Sequence, residues 1–259
     1  MERPAVTFVT AILLALATLF ALRWAAPLEL ALQDMFFQPS PCPGGQSALD
    51  GDRRCGFFPL REDRFWRFMR TLGFHGPLVV MAIGSSVYLW PRAQAAPMTP
   101  GRLAPLVVAA SGLWIGCLGL INTLFKPLFG RPRPNHLDVF GNTDSYVLPG
   151  SFSDQCFGNC SFVSGEAGTG FALVLFALLL PVAWRAVGVA LALVAAVLIS
   201  GLRVGFGGHF LSDIIMAWWI IALVALGTAW VLQTPWGEQL LAKWCGVLNR
   251  WRGVATAQV

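Results

Sequence analysis

Residues 160–184 read CSFVSGEAGTGFALVLFALLLPVAW. From Phe171 to Trp184 the run carries no charge, and it is opened by small residues that include Ser164, Gly165 and Glu166. Its apolar length matches a membrane crossing, which needs about 20 such residues. A carboxylate at the mouth of a span is costly unless it stays in water, pairs with a cation, or has a chemical task. Whether Glu166 has such a task depends on what else the chain brings to the same end of the membrane.

Outward from this stretch the composition is of one kind. The 259 residues are 56% hydrophobic and 12% charged, with a mean hydropathy of +0.64. Soluble domains carry about 25% charged residues, so the chain reads as an integral membrane protein. The net charge of +5 lies between apolar runs, which points to anionic lipid or phosphate and away from nucleic acid. Apolar periodicity predicts six helices, over 5–24, 73–91, 105–126, 164–183, 186–202 and 212–232. The expected fold is therefore an all-α bundle of six transmembrane helices, forming a single domain over 1–259. The first run is long for a signal peptide and is read as an uncleaved helix.

Counting crossings places the loops 25–72, 127–163 and 203–211 on one side and a tail from about 233 on the other. The positive-inside count leaves orientation open, with seven of 18 basic residues on the N-terminal side and the rest on the loop side. Cysteines are more informative. Cys42, Cys55, Cys156 and Cys160 all fall in loops of one side, as disulfides in an oxidising compartment would. Pairing of neighbours, Cys42–Cys55 and Cys156–Cys160, is the expectation among three connectivities. If a bacterial inner membrane holds the chain, the loop side is periplasmic and the tail cytoplasmic.

On that side three clusters of costly residues gather. KPLFGRPRPN (126–135) closes the third helix with Lys126, and its prolines hold Arg131 and Arg133 on an extended segment. VSGEAG (163–168) opens the fourth helix, where Ser164 and Gly165 stand among the free amides that make an anion site. GLRVGFGGHFLSD (201–213) carries Arg203, a glycine-rich turn, His209 and Asp213. The last two are four residues apart, one helical face, so Asp213 is expected to accept from one ring nitrogen of His209 and leave the other free as a nucleophile. Cations, backbone donors and an oriented imidazole suit a tetrahedral phosphate and its transition state. No metal or other cofactor is required by this set.

The sequence resembles the type 2 phosphatidic acid phosphatase family. Its Lys-x6-Arg-Pro motif stands as Lys126 to Arg133-Pro134, and its Ser-Arg-x5-His-x3-Asp motif as Arg203, His209 and Asp213, with Leu202 in place of Ser. Its Pro-Ser-Gly-His motif is altered: Val163, Ser164 and Gly165 are followed by Glu166. The resemblance implies a six-helix layout and a phosphohistidine formed on His209, with Asp213 orienting it. It also implies phosphate ligands at Lys126, Arg133, Arg203, Ser164 and Gly165. The family's second-motif histidine protonates the leaving oxygen, a role that does not pass automatically to Glu166. Glu166 is read as a general acid, as a residue orienting a basic side chain or water, or as a bystander to His136 or His75.

The stretch REDRFWRFMR (61–70) interleaves arginines with aromatic residues and fits the membrane interface. Arg64 and Arg67, with Arg131 and His136, are candidate headgroup contacts. The expected function is a membrane phosphatase acting on a lipid phosphomonoester or diphosphate: lipid A, a polyprenyl diphosphate or a phosphatidyl-type lipid. The alternatives are a phosphotransferase serving a second lipid and an anion-binding transport protein. Oligomeric state is not legible.

Overall fold

A computed structural model describes residues 2–41, 55–95 and 97–251. Among the described residues the fold is α-helical apart from a short hairpin pairing Gln38–Pro39 with Gly56–Phe57. Five of the described helices are long and apolar enough to cross a membrane. They are α1 (Glu2–Trp24), α4 (Arg64–Ala95), the stretch beginning with α5 (Pro100–Ser111), α8 (Val182–Gly205) and α9 (Leu211–Val231). A sixth apolar helix, α7 (Gly165–Ala177), is shorter at 13 residues. These are the six segments expected from periodicity.

The short helix is the centre of the bundle, packing against α8, α4, α9 and the stretch that follows α5. Small residues make this possible, because in a membrane close backbone approach does the work that burial does in water. A Cβ on Gly168 would lie 3.0 Å from the Ile121 side chain, and one on Gly170 would meet the backbone of Ala196 at 3.4 Å. The GEAGTG start that opens the fourth span is therefore a packing surface as well as a helix mouth.

Beyond Ser111 the helical ladder widens to π geometry over Gly112–Phe125, then tightens to a last α turn, α6 (Lys126–Phe129). Side chains follow the wider spacing: Asn122 Nδ2 donates to the Cys117 carbonyl at 2.9 Å and Thr123 Oγ1 to that of Leu118 at 2.8 Å, each five residues back. Wide turns of this kind are rare and gather at functional sites, and this one ends at Lys126.

The first connection and the tail hold more structure than expected. Segment 25–72 contains α2 (Ala26–Asp34), α3 (Pro59–Glu62) and the first turns of α4. The fourth helix begins nine residues before the predicted 73 because Asp63 caps it, its Oδ1 accepting from the amides of Phe65 and Trp66 at 2.9 and 3.1 Å. The tail folds as α10 (Pro235–Trp251), which lays Leu241 and Cys245 on Met98 and Leu103. Asn249 pins it there, bonding both backbone groups of Met98.

Candidate active site at the loop-side helix ends

The chain reverses after α6 at Gly130, whose φ of +58° a side chain would strain and whose Cβ would collide with the Ser153 carbonyl. In the Arg131-Pro132-Arg133 segment that follows, the two arginines part company: strict alternation would put both on one face, but Arg131 is drawn inward by the buried carboxylates of Glu29 and Asp213. Arg133 reaches a cavity of about 430 Å³. Arg131 goes the other way and is fully buried.

The cavity is walled by Arg61, Arg67 and Arg70 from α3 and α4, by Arg133, Asn135 and His136, by Asn159, and by Arg203, Phe206 and Gly208. Five guanidiniums around one space, with Glu62 the single carboxylate in its wall, make it an anion site. Lys126 is joined to it through Asn159: Lys126 Nζ donates to Asn159 Oδ1 at 3.0 Å, while Arg133 Nε donates to the Asn159 carbonyl at 3.2 Å. Asn159 lies within the loop closed by a disulfide between Cys156 and Cys160. Cys55 is disulfide-bonded too, and Cys42, its expected partner, lies outside the described residues. Cys117 and Cys245 are free thiols.

His209 follows the cavity residue Gly208 in the chain; it is 1% exposed and is not itself among the walls. Its Nδ1 lies 2.8 Å from the Ser161 carbonyl. A carbonyl only accepts, so Nδ1 carries the proton and the Nε2 lone pair is the free one. The expected direct bond to Asp213 is not made: Oδ2 stands 3.6 Å from Nδ1. Asp213 acts one residue removed. Its Oδ2 accepts from Ser161 Oγ at 2.5 Å and from the Phe210 amide at 2.9 Å, so it fixes the residue whose carbonyl holds the imidazole. Burial pushes the His209 pKa down to about 3, with Arg203 and Arg133 acting in the same direction and Asp213 opposing them.

Behind His209, Arg131 is a hub. Its Nη1 donates to Asp213 Oδ1 at 2.6 Å and Ser212 Oγ at 2.9 Å, its Nη2 to Glu29 Oε1 at 2.5 Å, and its Nε to the Val147 carbonyl at 2.8 Å. The guanidinium lies 4.1 Å from the Phe210 ring centre. Arg131 is therefore no headgroup contact, since it has neither exposure nor reach toward the cavity. Its counter-ion Glu29 comes from α2, as does Gln33, which donates to the His209 carbonyl at 2.8 Å. Sequence reasoning missed both. Their only signal was two polar residues at helical spacing in LELALQ.

The remaining expected residues divide. Arg203 lines the cavity and is 3% exposed, with Gly208 set against its guanidinium where a Cβ would stand 2.7 Å from Nη2. Ser164 is fully buried and caps α7, accepting from the Ala167 amide at 3.3 Å and donating its own amide to the Asp213 carbonyl at 3.1 Å. Neither Ser164 nor Gly165 is among the cavity walls. Gly165 opens α7, where the first amides have no partner within the helix; the Asn122 side chain leaves no room for a Cβ there. His136 and Arg67 line the cavity, whereas Arg64 and His75 are not among its walls. Glu166 is paired: its Oε1 accepts from Arg70 Nη2 at 2.8 Å and stands 3.4 Å from Arg203 Nε. Arg70 is a cavity residue outside the three motifs, from the arginine-rich stretch 61–70 expected at the membrane interface.

Comparison with known proteins points the same way. Residues 105–236 match the model of the PAP2 superfamily. A lipid A 4'-phosphatase of Rhizobium leguminosarum is 33% identical over 197 residues, 74% of this chain and 81% of the relative. Another, from Rhizobium etli, is 32% identical over 226 residues, 84% of this chain and 85% of its own. A third, from Francisella tularensis subsp. novicida, is 39% identical over 107 residues, covering 40% of this chain and 47% of that protein. No solved structure matches significantly.

Proposed function

Because the chain belongs to the PAP2 superfamily, we propose that it is a membrane-embedded lipid phosphatase that cleaves a phosphomonoester from lipid A or a closely related anionic glycolipid, with His209 as nucleophile. The observation that carries the mechanism is the Nδ1 contact to the Ser161 carbonyl, which leaves Nε2 unprotonated. The phosphate settles among Arg203, Arg133 and Lys126, with the Ser164 hydroxyl and the Gly165 amide beneath it. Nε2 attacks phosphorus; the P–N bond forms as the bond to the lipid oxygen breaks. Arginine charge offsets what builds on the equatorial oxygens. The departing oxygen takes a proton from His136 or from water in the open cavity. Water then attacks the phosphohistidine, the P–N bond breaks, and orthophosphate leaves as His209 regains its lone pair.

A single membrane domain in the bacterial inner membrane, with the cavity on the periplasmic side, is part of this reading. The bonded cysteines on the cavity side support it, because disulfides persist in oxidising compartments. A headgroup with more than one negative group fits a wall that includes Arg61 and Arg67 besides the arginines nearest the imidazole.

The test offers purified protein a panel of lipid phosphates, including lipid A, polyprenyl diphosphate and phosphatidic acid, with His209→Ala as control. Orthophosphate release from lipid A, absent in the control, is expected. Release that persists in His209→Ala removes His209 as the nucleophile.

A further inference from the structure

We propose that Arg70 is a substrate-anion ligand of this cavity and that Glu166 is the residue that positions it. The inference rests on the phosphatase reading and concerns the one place where the chain departs from the motif it resembles. A carboxylate at residue 166 meets an incoming phosphate with the wrong sign. In the structure that carboxylate is already engaged. Glu166 Oε1 accepts from Arg70 Nη2 at 2.8 Å and from Arg70 Nε at 3.3 Å, and Arg203 Nε faces the same oxygen at 3.4 Å. Every contact on Oε1 is with a donor, so that oxygen carries no proton for a leaving group.

The exposures show the direction of the pair. The Glu166 side chain is 10% exposed and that of Arg70 is 44% exposed, so the acid is the fixed end and the guanidinium the end that meets the cavity. A guanidinium has five N–H groups. Two nitrogens of Arg70 are held from one side by Glu166, and Nη1 has its hydrogens left for an anion in the cavity that Arg70 lines. Long flexible side chains lose rotamer freedom when they bind, and a guanidinium already clamped loses less.

Arg70 also comes from α4, outside residues 105–236 that match the family model. The cation thus reaches the site from a helix that carries none of the three motifs, 96 residues before its carboxylate partner. Arginine does not deprotonate in the working range. Its contribution is therefore charge on the phosphoryl and departing oxygens, strongest where negative charge builds.

The experiment measures kcat/KM for the lipid phosphate, and inhibition by orthophosphate, in the full-length protein and in Arg70→Ala, Arg70→Lys, Glu166→Gln and Arg70→Ala/Glu166→Gln. Arg70→Ala is expected to lower kcat/KM about 10- to 100-fold, as loss of a hydrogen bond to a charged group does, and to weaken orthophosphate inhibition about 10-fold. Arg70→Lys should recover part of both. Glu166→Gln should lower kcat/KM without changing the shape of its pH profile, and should cause no further loss in the Arg70→Ala background. Multiplicative losses in the double variant, or loss of the alkaline limb in Glu166→Gln alone, would overturn the proposal in favour of a general acid. Arg70→Ala with unchanged kinetics and a lower melting temperature would make the pair a helix pin only. If the wild type releases no phosphate from any lipid, the phosphatase reading fails. Calorimetric titration of orthophosphate into wild type and Arg70→Ala still decides whether Arg70 touches the anion.

Discussion

Glu29 of α2 and Arg131 of the extended segment after α6 form an ion pair in which the arginine is fully buried and the carboxylate side chain is 4% exposed. Glu29 Oε1 also accepts from the Tyr146 hydroxyl at 2.9 Å, and its Oε2 from the Ser212 amide at 3.0 Å. The support of His209 thus begins 102 residues upstream of Arg131.

Removing Glu29 takes away one of the two buried carboxylates on Arg131, the other being Asp213, and leaves the Tyr146 hydroxyl and the Ser212 amide without their acceptor. Glu29→Ala should destabilise the protein by about 3–5 kcal/mol, read from denaturant midpoints in mild detergent. Glu29→Ala/Arg131→Met also strips the buried Asp213 of its cation and should cost more than Glu29→Ala alone. A double variant as stable as the single would show that the Arg131–Asp213 pair adds nothing net to stability.

Asp213→Asn replaces an acceptor that serves Arg131, Ser161 and the Phe210 amide. Its amide nitrogen would face donors, so kcat should fall at least about 100-fold, with stability falling as well. Ser161→Ala keeps the carbonyl that holds His209 and loses one hydrogen bond, worth about 1 kcal/mol. A Ser161→Ala rate near wild type, beside a crippled Asp213→Asn, would locate the orienting role in the backbone carbonyl. Equal losses would locate it in the hydroxyl.

The pH dependence of stability has a defined sign. Folding lowers the His209 pKa to about 3 from an ordinary 6.5. Between those values the unfolded chain holds a proton that the folded chain refuses. This contribution is therefore complete above pH ~6.5 and is lost as pH falls toward 3. Unfolding midpoints at pH 7 and pH 4.5 should differ less in His209→Asn than in wild type. Histidine-labelled NMR should show no titration of His209 from pH 8 to pH 5; a titration near 6.5 would mean that the imidazole is solvated in the free enzyme.

Asn159 joins Lys126 and Arg133, and it lies inside the short Cys156–Cys160 ring. A ring of this size restrains the unfolded chain only modestly, so its main effect is local. Reduction, or Cys160→Ser, should raise KM about 3- to 10-fold by loosening both cations, the range expected for weakening hydrogen bonds of about 1 kcal/mol each, with little change in unfolding midpoint. An unchanged KM would separate the loop from substrate binding.

Apolar runs made the spans legible, and the fixed spacings of Lys126 to Arg133 and of Arg203 to His209 and Asp213 marked the residues that the fold gathers at one end. Two things were not legible, and a third was overlooked. Arg131 and Arg133 look alike in RPRP, and only the turn at Gly130 and a carboxylate from a distant helix decide that one faces inward. Glu29 and Gln33 owe their roles to partners far along the chain, so no local pattern announces them; the arginine run 61–70 marked Arg70 as an interface cation but not its pairing with Glu166. The early start of α4 could have been read, since Asp63 stands as a helix cap before an arginine-rich turn, but the charges of REDR outweighed that cue.

The contacts of α2 bear on how such a chain can be rearranged. Residues 126–213 hold every group expected to handle phosphate, which would make them look transplantable. Yet the buried guanidinium behind His209 takes one of its two carboxylates from residue 29, and the His209 carbonyl is held from residue 33. A graft or split that carries the later helices alone would leave Arg131 with Asp213 as its counter-charge but would strip the Tyr146 hydroxyl and the Ser212 amide of their acceptor. Only exchanges that bring Glu29 and Gln33 along with Arg131 keep these inner hydrogen bonds satisfied.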